Sequence, residues 1–94
     1  MESYNITIHF KPMGDEGSVV QFFAYFEEPM TDLAICEALF HQSNTYEGEL
    51  YNRIQARHFV KYGEKARSLS VFDEVTVDGR SYKCASFGFE KVGA

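Results

Sequence analysis

The dipeptide Asp78-Gly79 restricts the fold of this chain more than any other feature, because it separates two runs rich in β-forming residues. A two-residue type I′ turn needs a positive φ at both central positions, and Asp-Gly is among the pairs that adopt such a turn most readily. The sequence therefore predicts an antiparallel hairpin, with one strand over residues 69–77 and its partner over residues 80–89.

A second hairpin is predicted near the start of the chain. Residues 4–10 alternate between apolar and polar side chains, a pattern that is typical of a half-buried strand. Residues 18–26 are apolar on both faces, which favours a central place in the sheet. Pro12, Gly14 and Gly17 interrupt the segment between these two runs, so we expect it to be the connecting loop.

The stretch between the two hairpins has helical spacing. Thr31 or Asp32 is the expected N-cap, because a short side-chain oxygen accepts hydrogen bonds from the free N–H groups of a first turn. A stripe suited to packing on a sheet follows. Its members are Leu33, Ile35, Cys36, Leu39 and Phe40. Further on, Leu50, Ile54 and Phe59 would form the apolar edge of a short second helix.

These elements together predict a single α+β domain over residues 1–94. An antiparallel sheet of two β-hairpins would carry one main helix on one face, with or without the short second helix. The N-terminus lacks the basic and apolar regions of a signal peptide, and no stretch reaches the about 20 apolar residues that a membrane span needs. We therefore expect a cytoplasmic protein that does not contact a membrane.

No motif in the sequence points to catalysis or to a cofactor. His9, His41 and His58 lack the spacing of a metal site, so each is expected to be a surface or structural residue. Cys36 and Cys84 are predicted to be buried free thiols, because unpaired cysteine packs as a small apolar side chain. The chain has neither a G-x-S-x-G elbow nor a glycine-rich phosphate loop. The prediction is a protein that is not an enzyme and binds no cofactor and no metal.

Charge is divided unevenly along the chain. Residues 1–50 contain nine acidic residues and one basic residue, for a net charge of −8, whereas residues 51–94 contain five acidic and eight basic residues, for +3. One interpretation is that the two halves neutralise each other in the folded domain. The other is an acidic surface that occupies a basic surface of another protein, where nucleic-acid phosphates would otherwise lie. The candidate contacts fall in predicted loops and at element ends: Asp15, Glu16, Glu27, Glu28, Glu47 and Glu49.

Basic residues recur at every fourth position in the second half, at Arg53, Arg57, Lys61 and Lys65. On one continuous helix they would form a basic stripe able to contact nucleic acid. Gly63 argues against a helix that continues to Lys65. A sequence pI of about 5.1 argues against direct binding of nucleic acid, because modules with that function are usually strongly basic.

The C-terminal hairpin resembles a known sequence pattern. The residues that carry the resemblance are Arg67 to Val75, Asp78, Gly79, Tyr82, Cys84 and Ser86 to Phe89. They resemble the S-L-S-V-x-D-V-V … D-G … Y-x-C-x-S-x-G-F pattern of YodL-like domains and of small proteins from phages and other mobile elements. Many of these proteins have glycine where this chain has Phe72, which argues against a simple tight turn there. Asp73, near the strand entry, is expected to cap backbone N–H groups.

The resemblance implies an accessory protein of a mobile element, and many such proteins block restriction or CRISPR systems by binding to them. We therefore expect a non-enzymatic inhibitor of the anti-CRISPR or anti-restriction type, whose acidic surface binds a host defence nuclease or its targeting complex. The alternatives are an accessory protein that contacts nucleic acid through the basic stripe over residues 53–65, and a structural or interaction domain. The sequence leaves open whether the protein is a monomer or a homodimer.

Overall fold

The chain forms an antiparallel five-stranded sheet and two α-helices over the residues that the computed structural model describes, 1–12 and 17–93, which is an α+β architecture. The strands are β1 (Glu2–His9), β2 (Val19–Phe26), β3 (Glu74–Val77), β4 (Arg80–Cys84) and β5 (Phe89–Lys91), and the helices are α1 (Asp32–Thr45) and α2 (Glu49–Tyr62). The strand order across the sheet is β2-β1-β3-β4-β5, so the two outer strands are β2 and β5.

Both helices pack on one face of the sheet, and one hydrophobic core lies between the two layers. The sheet contributes every second residue of β1 to β4 to this core, as the period-two pattern requires. Its largest fully buried side chains include Ile6, Ile8, Phe22, Ile35, Leu39, Ile54, Leu69, Val75 and Val77. The alternate residues of the strands, which include Thr7, Gln21 and Thr76, lie on the opposite face.

Helix α1 begins and packs largely as the sequence predicts. The Thr31 hydroxyl oxygen accepts a hydrogen bond from the Ala34 N–H at 3.1 Å, which makes Thr31 the N-cap. Ile35, Cys36 and Leu39 are buried against the sheet. The sequence places Leu33 on this stripe, but Leu33 is 50% exposed, because at 3.6 residues per turn it points to one side of the face that Ile35, Leu39 and Ser43 bury.

Helix α2 is as long as α1, with 14 residues each, so the prediction of a short second helix underestimates it. Leu50, Ile54 and His58 recur at every fourth position and form its buried side. The sequence places Phe59 on this edge, but Phe59 is 61% exposed. It directly follows the buried His58, and adjacent residues of a helix do not share a face, so its side chain points away from the sheet. Gly63 has a φ of +75° and ends the helix by donating its N–H to the Phe59 carbonyl at 2.8 Å.

The Asp78-Gly79 hairpin is confirmed. Both residues have positive φ, 48° and 87°, and Val77 pairs with Arg80 across the turn, as a type I′ turn requires. The predicted strand bounds are wrong on both sides of it, since β3 begins only at Glu74 and β4 ends at Cys84. After Cys84 the chain turns back over residues 85–88 and forms β5.

The first hairpin is also confirmed, with β1 and β2 paired antiparallel from Glu2 opposite Phe26 to His9 opposite Val19. The loop predicted between them falls in part on residues 13–16, outside the described residues. The prediction that residues 18–26 form a central strand is wrong, because β2 is an outer strand. Its second apolar face is half exposed: Phe23 is 48% and Tyr25 49% accessible.

A tight turn precedes β3, although Phe72 argued against one. The Asp73 N–H donates to the Ser70 carbonyl at 3.1 Å, and Phe72 adopts a φ of +83° inside this turn. A bulky residue in the left-handed region is strained. The segment before β3 is therefore a turn that ends at the buried Asp73, and not the start of the strand.

Candidate binding surfaces

Three carboxylates gather where β1 starts and β2 ends. Glu2 opens β1 and pairs in register with Phe26, and Glu27 and Glu28 follow directly after Phe26. All three side chains are exposed, and none takes part in an ion pair with another described residue. We call this group of three glutamates the acidic end.

Exposed apolar side chains accompany the acidic end. Tyr25, two residues before Glu27, is half exposed, and Leu33 in the first turn of α1 is 50% exposed. Met1 is also exposed beside Glu2. Protein interfaces typically have an apolar core that is surrounded by a polar rim. The acidic end therefore combines charge with apolar area that a partner would cover.

The other predicted acidic contacts do not join the acidic end. Glu47 lies in the connection after α1, so that helix, about 21 Å long at 1.5 Å per residue, separates it from Glu28. Glu49 pairs with Arg53 at 3.3 Å within α2. Asp15 and Glu16 lie outside the described residues. The structure thus brings together Glu27 and Glu28 from the predicted set and adds Glu2.

The two differently charged halves of the chain neutralise each other in part. Two ion pairs join an acid of the first half to a base of the second, Arg80 with Asp32 at 2.6 Å and Arg53 with Glu49 at 3.3 Å. In a third pair, at 2.6 Å, Lys11 of the first half contacts Glu74 of the second. These pairs leave the acidic end uncompensated. The interpretation of complete neutralisation therefore does not hold for that part of the molecule.

Asp32 links the start of α1 to β4 through hydrogen bonds. Its carboxylate accepts hydrogen bonds from the Arg80 guanidinium and, at 2.6 Å, from the Tyr82 hydroxyl. The hydrogen bonds from Arg80, which outweigh the effect of burial, lower the pKa of Asp32. The hydrogen bond that the Tyr82 hydroxyl donates to this carboxylate raises the pKa of Tyr82, because loss of the proton would break the bond. Asp32 therefore has a structural role and is unsuited to bind a partner.

Asp73 is a second structural carboxylate, and it caps backbone N–H groups as the sequence predicts. Its side chain is 0% exposed and accepts hydrogen bonds from the Lys11 N–H at 2.7 Å and the Ser70 N–H at 2.9 Å. The guanidinium of Arg67 donates two more, at 2.6 and 2.8 Å. A buried charge is tolerated only when it is paired and hydrogen-bonded, and this one is. Asp73 thereby ties the turn before β3 to the end of β1.

Three of the four predicted basic residues lie along the outer strand β2. The Arg53 guanidinium is 5.3 Å from the centre of the Tyr25 ring, and the Lys61 ammonium donates to the Val19 carbonyl at 3.2 Å. Arg57 lines the shallow groove between β2 and α2, beside Gln21. We call Arg53, Arg57 and Lys61 the α2 cations.

Lys65 does not belong with the α2 cations. It follows the helix end at Gly63 and lines a separate depression together with Arg67 and His58. The helix therefore stops before the fourth basic position, as the glycine predicts.

His58 joins α2 to the start of β2 through two hydrogen bonds. The Glu64 carbonyl accepts from Nδ1 at 2.7 Å, and Nε2 lies within hydrogen-bond distance of the Ser18 hydroxyl, at 2.9 Å. A serine and a histidine in this relation are also found in nucleophilic sites. Here the imidazole is buried between the Phe10 and Tyr62 rings, so we assign the pair a structural role. Ser18 and His58 are 40 residues apart in the sequence, so no local sequence pattern predicts their contact.

The two cysteines are buried and free, which confirms the sequence prediction. Burial raises the pKa of the Cys36 thiol to about 12 and also raises that of Cys84, so both stay protonated near neutral pH. Within the described ranges, no group of three or more His, Cys, Asp or Glu side chains is arranged to hold a metal ion. None of the helices described is long and apolar enough to cross a membrane.

No protein-family model, no curated protein and no solved structure matches this chain. The resemblance of residues 67–89 to YodL-like domains therefore stays a prediction, and the surfaces described above carry the functional interpretation.

Proposed function

We propose that this protein is a non-enzymatic accessory protein of a phage or plasmid that binds and inhibits a bacterial defence complex in the host cytoplasm. The acidic end is the contact surface in this proposal. The observation that carries it is that Glu2, Glu27 and Glu28 are exposed and without ion pairs among the described residues, while apolar side chains lie exposed beside them. The resemblance of the C-terminal hairpin to proteins of mobile elements supports the biological setting.

The physical basis is complementarity with a surface that binds nucleic acid. Restriction and CRISPR nucleases hold the phosphate backbone with Lys and Arg side chains. Clustered carboxylates provide a negative potential of the same sign as phosphates, and a net charge of −5 attracts the protein toward such a surface. Leu33 and Tyr25 would add apolar burial, which free phosphates do not offer.

The test is binding to purified defence complexes and inhibition of their DNA cleavage. We expect the wild-type protein to bind one of them stoichiometrically, and to do so less tightly as salt increases. The double variant Glu27→Lys/Glu28→Lys should lose both binding and inhibition. The matched control is Glu64→Lys/Glu90→Lys, which changes the net charge equally at exposed positions elsewhere.

Two results would contradict the proposal. The first is that the wild-type protein neither binds nor inhibits any restriction or CRISPR complex of its host. The second is an equal loss of binding in both double variants, since net charge and not the acidic end would then be responsible.

A further inference from the structure

The outer edge of β2 presents backbone groups that are not paired with another strand within residues 1–12 and 17–93. The Phe10 N–H donates to the Ser18 carbonyl at 2.8 Å, so Ser18 and every second residue after it direct their backbone groups toward β1. Val19 directs its own outward, where the Tyr62 hydroxyl accepts from its N–H at 2.8 Å. By the same alternation, the N–H and C=O groups of Gln21, Phe23 and Tyr25 also point outward. We call these three residues the β2 edge.

The α2 cations lie along the same edge, and their order runs opposite to that of β2. Arg53 lies at Tyr25, near the end of the strand, and Lys61 lies at Val19, its first residue. Arg57 lines the groove between them. Arg57 makes no ion pair with a described residue, and the carboxylate beside Arg53, Glu49, is itself largely exposed. Positive charge is therefore available to a molecule that occupies the β2 edge.

The α2 cations extend over the whole length that an added strand would occupy. The contacts of Arg53 with Tyr25 and of Lys61 with Val19 lie six strand residues apart, about 20 Å at 3.3 Å per residue. Side chains on one face of a strand repeat about every 6.6 Å, so four alternate positions of an added strand cover this distance. An added strand with an acidic residue at every second position would thus present carboxylates along the row of cations. Its other side chains would lie on the open face, beside the half-exposed rings of Phe23 and Tyr25.

A second copy of this chain is a poor occupant of the β2 edge. Two β2 strands paired antiparallel about a two-fold axis would place both α2 helices on the same face of the joined sheet. The α2 cations of one copy would then face those of the other, with Arg57 near its own equivalent. Like charges set opposite each other oppose association. The occupant must therefore carry negative charge toward α2.

We propose that the β2 edge binds an extended segment of a partner protein in which acidic residues alternate with apolar residues. The segment adds as a sixth strand, its backbone pairs with Gln21, Phe23 and Tyr25, and its carboxylates pair with the α2 cations. This surface shares the Tyr25 ring with the apolar area beside the acidic end, but it binds through the backbone of β2 and through the α2 cations, which the acidic end does not use. The proposed inhibition of a defence complex can therefore fail without affecting this inference, and the reverse also holds.

The first experiment uses a short fluorescent peptide that alternates glutamate with valine. We expect saturable binding by anisotropy, and amide chemical-shift changes in NMR spectra centred on the β2 edge and not on β5. A peptide of the same composition with all glutamates grouped at one end should bind at least about tenfold more weakly, a loss of about 1.4 kcal/mol. Equal affinity of the two peptides would overturn the proposal.

A backbone test separates strand addition from simple charge attraction. Two further peptides carry N-methyl groups on alternate amides, one on the odd positions and one on the even positions. Only one of these sets can direct its N–H groups at β2, so one peptide should lose binding and the other should retain it. Retained binding by both peptides would show that the backbone of the β2 edge is not used.

Variants of the chain test the cations. Arg57→Glu should weaken binding of the alternating peptide by about tenfold or more. Lys83→Glu, an equal charge change at an exposed residue of β4, should leave it unchanged. Single-stranded poly-dT is the competitor of a different class. If it binds the β2 edge more tightly than the peptide does, the α2 cations serve nucleic acid and the proposal is wrong.

Discussion

A single buried carboxylate, Asp73, connects three parts of the chain that are distant in sequence or in structure. It accepts from the backbone of Lys11 and Ser70 and from the guanidinium of Arg67. We predict that Asp73→Ala lowers the free energy of unfolding by about 3 kcal/mol, at the lower end for a buried pair because Arg67 keeps contact with water. Urea unfolding measures this loss.

The control for Asp73 is the more exposed ion pair of Lys11 with Glu74. Glu74→Gln should cost below about 1 kcal/mol, because partly exposed pairs contribute little. A similar loss for Asp73→Ala and Glu74→Gln would mean that the buried network contributes no more to stability than a partly exposed ion pair does.

Phe72 stores backbone strain that a substitution can reveal. At a φ of +83° a side chain with a Cβ is unfavourable by about 1 kcal/mol relative to glycine. Phe72→Gly and Phe72→Ala both remove the ring, and they differ chiefly in this cost. We therefore predict that the free energy of unfolding of the glycine variant is about 1 kcal/mol larger than that of the alanine variant, so that the glycine variant unfolds at a higher urea concentration. The opposite order, which is usual in helices and strands, would exclude the strain.

Asp32 should make stability depend on pH in the acid range. Its pKa is lower in the folded protein than the value of 3.8 expected for the unfolded chain. The stabilisation is therefore fully present above pH 3.8 and is lost as the pH falls through the folded pKa. We predict that Asp32→Asn destabilises the protein at neutral pH and that the difference from wild type shrinks below pH 3.8. Glu37→Gln, an exposed change in α1, is the control and should show no such trend.

The turns and helix ends that the sequence predicts correctly are those determined by neighbouring residues. The Asp78-Gly79 turn, the Thr31 cap and the glycine end of α2 are local devices, and all three are as expected. The predicted central position of β2 is wrong. Apolar residues on both faces of a strand occur in central strands, and they occur also in an outer strand whose aromatic rings stay half exposed, as in β2. The sequence does not predict the turn at Phe72, because two of its hydrogen bonds come from distant residues: the Lys11 N–H donates to Asp73, and the Phe72 N–H donates to the Cys84 carbonyl.

The same limit applies to the candidate surfaces. The four-residue spacing of Arg53, Arg57 and Lys61 is visible in the sequence, but their position along the outer edge of β2 follows from the order of the strands. Glu2 was not singled out, because only the pairing of β1 with β2 brings it to Glu27.

Helix α2 depends on a cap supplied by the other helix. Gly48, its N-cap residue, has no side chain to offer, and the Gln42 side-chain oxygen instead accepts from the Leu50 N–H at 2.8 Å and the Tyr51 N–H at 3.3 Å. We predict that Gln42→Ala costs about 1–2 kcal/mol of stability, because two N–H groups of the first turn lose their acceptor. Gln42→Glu keeps an acceptor at the positive end of α2 and should retain most of the stability. Equal losses in thermal or urea unfolding would show that the cap is unimportant.

For the whole molecule, the distribution of charge matters more than its sum. Ion pairs between the two halves of the chain hold α1 to β4 and β1 to β3, while the acidic end and the α2 cations stay apart. Outer strands are prone to pair with other chains, and charged side chains over an edge are a common protection against it. The α2 cations have this arrangement toward β2, which is also what makes the edge selective for an acidic strand.

Removal of the α2 cations should expose the β2 edge to self-association. The triple variant Arg53→Gln/Arg57→Gln/Lys61→Gln removes the repulsion between two β2 edges while leaving their backbone groups and the rings of Phe23 and Tyr25 in place. We predict that it self-associates as its concentration rises, whereas the wild type stays monomeric, as measured by light scattering after size exclusion. Replacing three other exposed lysines, Lys65, Lys83 and Lys91, by glutamine changes the net charge equally and should leave the protein monomeric. Because the two triple variants differ only in where charge is removed, association of both would assign the effect to net charge. Association of neither would mean that the α2 cations do not keep the β2 edges apart.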